Sequence, residues 1–260
     1  MIQEAASIRK LRERVQIPRR YADTFYGVQV MRRLSVYLTA VAIRWRLMPD
    51  QVTWASLFLA LGGLGACGGG HWGWGVLGLN VYYLLDHVDG ELARYGGHPQ
   101  PSGVFFDMIL NYLVHPLTFV AMAAGLRPEF GDGMIFWGVL GMFAYVMLGA
   151  IPMCEDSIVL YFVRREGSSF LQNEKDVASP DERSGGLLRR IFSQLERWST
   201  YPDFLLVLTL CVVLGLILGL PLEPLMAILL VFYASLASFV WTSKLFYKIF
   251  NQTLDSHPLL

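Results

Sequence analysis

Six runs of apolar residues dominate the chain from residue 49 onward, separated by short polar or glycine-rich breaks and, between the fourth and fifth, by one long polar stretch. They fall near Gln51–Gly70, Trp72–Asp89, Val104–Leu126, Met134–Met153, Phe204–Gly219 and Pro224–Trp241. Each approaches the ~20 residues a helix needs to cross about 30 Å of hydrocarbon, and the fifth is the shortest. The pattern before residue 49 differs. Around Glu4–Val15 and Phe25–Leu47 apolar residues alternate with charge, and in the second run Val28, Met31, Leu34, Leu38, Val41 and Trp45 recur every three or four positions. Arg32, Arg33, Arg44 and Arg46 flank that stripe, which predicts a helix lying in the membrane interface. Met48-Pro49-Asp50 then starts a new helix, with proline in its first turn and an acid at its positive end.

The expected architecture is all-α and polytopic, with six transmembrane helices and an N-terminal interfacial amphipathic helix. One transmembrane domain is expected over 49–250, preceded by a cytoplasmic or interfacial region over 1–48 and followed by a tail over 251–260. Composition agrees. Of 260 residues 54% are hydrophobic and 16% charged, with mean hydropathy +0.44, against about a quarter charged in soluble domains. The first fifty residues lack a continuous apolar core, so no signal peptide is expected. Zero net charge conceals an asymmetry. With an even number of spans and the N-terminus inside, every Lys and Arg of the 21 except Arg127 falls on the inner side. That positive-inside pattern predicts cytoplasmic termini and a cytoplasmic 164–202 loop, with a surface helix around Gly186–Ser199. Trp72, Trp74, Trp137, Trp198 and Trp241 near span or loop ends suit an aromatic belt. Cys67, Cys154 and Cys211 form no CxxC pair and read as small packing residues.

The second and third runs carry the chemistry. They read DHVDGELAR and, eight residues on, GVFFDMILN, which puts carboxylates at Asp86, Asp89 and Asp107. Each charge at the centre of a membrane helix costs roughly 2.5–3.5 kcal/mol on insertion scales, so a compensating partner is required, most simply a bound cation. On a helix Asp86, Asp89, Gly90 and Ala93 share one face, and Gly103, Asp107, Asn111 and His115 stack at i+4 steps on the next. The Gly96–Ser102 turn folds the two runs antiparallel. Oxygen donors without thiols favour Mg²⁺ or Mn²⁺. A structural polar knot or the ion path of a transporter competes with this reading.

These residues closely resemble the motif of the CDP-alcohol phosphotransferase (phosphatidyltransferase) family, D-x2-D-G-x2-A-R-x8-G-x3-D-x3-D. Asp86, Asp89, Gly90, Ala93, Arg94, Gly103 and Asp107 match it, and Asn111 stands where the motif ends in Asp. The family's P-N-x-x-T element is similar to Pro49-Asp50-Gln51-Val52-Thr53, with Asp for Asn. Residues 1–30 and 164–202 carry none of its motifs. The resemblance implies an enzyme that moves a phosphoryl-alcohol unit from a CDP-alcohol donor to an alcohol acceptor, releasing CMP, in phospholipid biosynthesis. It implies one or two divalent ions on Asp86, Asp89, Asp107 and Asn111. It places Asp50, Thr53, Asp86, Gly90, Ala93, Arg94 and Gly103 at the nucleotide. Apart from the resemblance, Arg164 and Arg165 follow the fourth span on the inner side, as topology charges or as a grip on a donor or acceptor phosphate. The implied partners are these two substrates, membrane lipids and a second copy of the chain, with no nucleic acid and with the site facing the cytoplasm.

The family's last Asp is its general base, and Asn111 cannot accept a proton in that role. Three explanations stand open: activation by a metal-bound alkoxide or by His115 one turn on, an introduced substitution that stalls turnover, or nucleotide binding with the chemistry lost. The function classes left are a phosphotransferase, a non-catalytic CDP-alcohol binder and, further off, an ion-coupled transporter.

Overall fold

The computed structural model describes residues 2–16, 24–97, 101–166, 194–196 and 198–250, and among them helices alone form regular structure. In chain order they are α1 Ile2–Val15, a π-helical turn Gly27–Met31 running into α2 Arg32–Arg44, and α3 Pro49–Gly68. Then follow α4 Trp72–Tyr95, α5 Pro101–Phe130, α6 Gly133–Glu166, α7 Tyr201–Leu218 and α8 Leu222–Phe250. Five are long and apolar enough to cross a membrane: α3, α5, α6 over Gly133–Cys154, α7, and α8 over Leu222–Tyr247. The protein is therefore an all-α, polytopic membrane protein. α4 has the length, 24 residues, but bears Asp86, Asp89, Glu91 and Arg94 in its second half.

All six apolar runs are helical, and several helices outlast the run that foretold them. α5 begins at Pro101 rather than near Val104, because a proline in the first helical turn forfeits no hydrogen bond. α6 continues from Met153 to Glu166, past the apolar stretch. The surface helix expected over 186–199 lies largely outside the described residues, as do residues 98–100 of the turn between α4 and α5.

α3 and α4 form a hairpin at backbone contact distance. A methyl group on Gly78 would come within 2.9 Å of the Gly63 Cα, so only glycine fits there. Small residues permit such approach in lipid, where packing rather than water expulsion drives helix association. The core continues into α5, α7 and α8 through Val114, Phe119, Phe204, Leu205, Met226 and Tyr233. The Phe119 and Phe204 rings stack 5.0 Å apart.

α2 forms where the amphipathic pattern placed it, and its buried side mixes two polar with two apolar residues. Ser35, Val36, Thr39 and Ala42 face inward, while Leu34, Tyr37, Leu38, Val41 and Trp45 are exposed. The reason is Glu91 on α4, 1% exposed, whose carboxylate accepts from Ser35 Oγ at 2.5 Å, Thr39 Oγ1 at 2.6 Å and Gln16 Nε2 at 2.6 Å. A buried carboxylate must be met by donors, and here they come from α2 and the residue after α1. The end of α1 is fastened to the end of α4 as well. Arg94 Nε donates to the Val15 carbonyl at 2.5 Å, Arg14 Nη2 donates to the Tyr95 carbonyl at 3.1 Å, and the Arg14 guanidinium lies over the Tyr95 ring.

Candidate active site

The acids expected to meet do so at the facing surfaces of α4 and α5. The Asp86 side chain reaches both Asp107 and Asn111 by hydrogen bonding, with Asp89 close enough to act on it electrostatically. Asp107 Oδ1 accepts from Asn111 Nδ2 at 2.8 Å, and Asn111 Oδ1 accepts from Tyr82 OH at 2.7 Å. Both ends of the Asn111 amide are thereby engaged. A run of contacts, Tyr82 to Asn111 to Asp107 to Asp86, links the two helices.

Asp89 is buried and anchored from a third helix. Thr53 Oγ1 donates to its Oδ2 at 2.7 Å and lies 3.1 Å from the Pro49 carbonyl. The Pro49–Thr53 element is thus part of the site through its threonine, while Asp50 stays exposed in the first turn of α3. Gly90 is small for a local reason: a methyl there would sit 3.3 Å from Arg94 Nη1, whose guanidinium folds over it and acts on Asp89. Ala93 is half-buried on the same face. Gly103 lies in the exposed first turns of α5 with open space around it. The side chains of Arg164 and Arg165 lie outside the described residues.

Among the described residues no three His, Cys, Asp or Glu side chains close to metal-binding geometry. The donor chemistry nevertheless suits a divalent ion. Asp86 and Asp107 are within hydrogen-bonding reach of each other, and two carboxylates so close repel unless a cation or a proton lies between them. All the donors are hard oxygens, as Mg²⁺ and Mn²⁺ prefer.

Beside Asn111 a cavity of about 260 Å³ opens between α5, α6, the residues Glu196, Ser199 and Thr200 ahead of α7, and α8 at Lys244. Asn111 and His115 line it from α5, Tyr145 and Leu148 from α6. His115 is 9% exposed. Its ring stacks on Tyr201 at 3.7 Å, Nδ1 lies 3.3 Å from Tyr145 OH, and Nε2 has no hydrogen-bond partner. Nothing in residue spacing pointed to Tyr82, Tyr145 or Glu91, since each acts across helices. Only the i+4 step from Asn111 to His115 is readable in one dimension.

No protein-family model matches the chain, and no curated protein does. A solved structure does: crystalline phosphatidylinositol phosphate synthase (PgsA1) of Mycobacterium tuberculosis with CDP-DAG bound. The superposition has a TM-score of 0.55 and covers 82% of this chain and 92% of that one. The two share a fold. Their sequences are 16% identical, so the likeness speaks for the arrangement of helices alone.

Proposed function

We propose that this protein is a metal-dependent CDP-alcohol phosphotransferase of the membrane, active on the cytoplasmic side. The observation that carries the reading is the gathering of Asp86, Asp89, Asp107 and Asn111 on α4 and α5. It occurs in a fold shared with a protein that was crystallised with CDP-DAG. α4 is then the sixth span, its charges offset by α2, α3 and α5. α1 and α2 lie at the interface, with the exposed Leu34, Leu38, Val41 and Trp45 towards lipid. The distribution of Lys and Arg supports cytoplasmic termini.

Asp86, Asp89, Asp107 and the Asn111 amide oxygen would hold Mg²⁺ or Mn²⁺, which when bound stabilises charge on the diphosphate. Thr53 fixes the Asp89 carboxylate, and Gly90 leaves room for Arg94 beside the nucleotide. The acceptor oxygen attacks the phosphorus of the transferred phosphoryl-alcohol. The bond from that phosphorus to the bridging oxygen breaks, and CMP leaves with the electron pair. The acceptor's proton goes to His115, the imidazole one turn from Asn111 on α5. A CDP-alcohol binder without turnover is the competing reading, and Asn111 is the observation that favours it.

The test is CMP release by the protein in lipid nanodiscs, with Mg²⁺, CDP-diacylglycerol or CDP-choline, and a panel of alcohols. Asp86→Ala is expected to lose activity by about 10²–10³-fold, the scale of a charge-stabilising group. His115→Gln is expected to lose ~10²–10⁴-fold, the range of general-base catalysis, while donor retention stays near that of the parent. Asn111→Asp then changes turnover little. Donor retention without CMP release, restored by Asn111→Asp, would instead assign the missing base to position 111.

A further inference from the structure

Given that proposed reading, we infer that the cavity beside Asn111 and His115 receives the acceptor, and that the acceptor is an uncharged alcohol rather than a phosphate ester. Three observations meet there. First comes position. The cavity borders Asn111, whose amide is hydrogen-bonded to Asp107, and His115 one helical turn further along α5. Second is size. At about 30 Å³ per water-sized group, 260 Å³ holds roughly nine non-hydrogen atoms, the bulk of a small polyol or of a lipid's alcohol end.

Third is charge. Among the described residues of the lining, the formally charged side chains are Lys244 on α8 and Glu196, and they are spent on each other. Lys244 Nζ donates to Glu196 Oε1, with the lysine side chain 18% exposed. The other lining groups are amide, aromatic, aliphatic and hydroxyl. A phosphate carries about −1.5 to −2 charges at neutral pH and asks for several cations or donors. Here it would meet the Glu196 carboxylate on one side and, past Asn111, Asp107 on the other. The like charges repel it. An uncharged alcohol meets no such opposition, and Tyr145, Leu148 and Pro152 cover its carbon skeleton.

The experiment measures CMP release from CDP-diacylglycerol, with Mg²⁺ and the full chain in nanodiscs, on acceptors matched except for phosphate. The pairs are glycerol with glycerol 3-phosphate and myo-inositol with inositol 1-phosphate; diacylglycerol with CDP-choline adds a lipid alcohol. A neutral acceptor is expected to exceed its phosphate ester by at least ~10-fold, since like charges in an interface discriminate strongly. Glu196→Gln frees the charge of Lys244, and Leu148→Arg adds a cation while leaving the pair intact. Either is expected to shift the ratio towards the ester by about 10-fold. CMP release in the parent that prefers the ester, or a ratio unmoved in both variants, overturns the inference and leaves the phosphotransferase reading in place. Absence of CMP with every acceptor, neutral or phosphorylated, removes both.

Discussion

The two halves of the helical bundle are built from different interactions. In α2 to α5 the interior is tied by hydrogen bonds: three donors on Glu91, Thr53 on Asp89, and Tyr82 and Asp107 on Asn111. In α7 and α8 the interior is mainly apolar, Phe204, Leu205, Leu208, Met226, Leu230 and Tyr233, with Thr209 bonded to Asn80 and Tyr201 to Thr118 at its border. Hydrogen bonds have direction and fix individual atoms, whereas apolar packing fixes shape and tolerates small shifts. The half that must hold carboxylates in register uses the first kind. The other half supplies a wall against which α5 is pressed.

That division can be broken from either side. The largest effect is expected from Phe204→Ala, which removes a fully buried ring from the stack with Phe119 and should lower unfolding stability by about 3–5 kcal/mol. Thermal unfolding in nanodiscs reads it, and donor affinity of the folded fraction should stay near that of the parent. A selective loss of donor affinity there would deny that the apolar half is scaffold. Glu91→Ala comes next. It leaves the Thr39 donor without its acceptor, at about 1–3 kcal/mol, while Ser35 and Gln16 keep the Arg32 carbonyl. Amide exchange in α2 should rise before global unfolding, whereas Phe204→Ala should raise exchange throughout. The smallest effect is expected from Thr53→Val. It deletes one hydrogen bond to a carboxylate, about 1.5–3 kcal/mol at most, and it should weaken the rise in melting temperature expected of the parent with Mg²⁺ and CDP-diacylglycerol on the proposed reading. An undiminished rise would detach the Pro49–Thr53 element from the site.

How much of this was legible in one dimension follows from the range of each interaction. Asp86, Asp89, Gly90 and Ala93 share a face through helical periodicity, and the short turn before Pro101 brings Asp107 opposite them. Both are local facts. Glu91 carried no signal, because its donors come from positions 16, 35 and 39, and only the packed structure unites them. The stripe on α2 was legible as a stripe, and its Leu34, Leu38, Val41 and Trp45 are exposed. Periodicity marks two faces, and the need of Glu91 for donors decides which one turns inward. The cavity was illegible for a similar reason, being lined from α5, α6, the residues ahead of α7, and α8, which only packing brings together.

The hairpin of α3 and α4 bears on how the chain enters a bilayer. Three residues, Gly69 to His71, join the two helices, and the Gly63–Gly78 contact and the Thr53–Asp89 bond hold them together along most of their length. α4 alone would present its acids to acyl chains during biogenesis. Delivered with α3 already against it, it enters as half of a pair, with Asp89 hydrogen-bonded before any substrate or ion is available. The helix that carries most of the chemistry is in this sense a passenger of its neighbour, and the glycines that let them touch serve insertion before they serve the finished site.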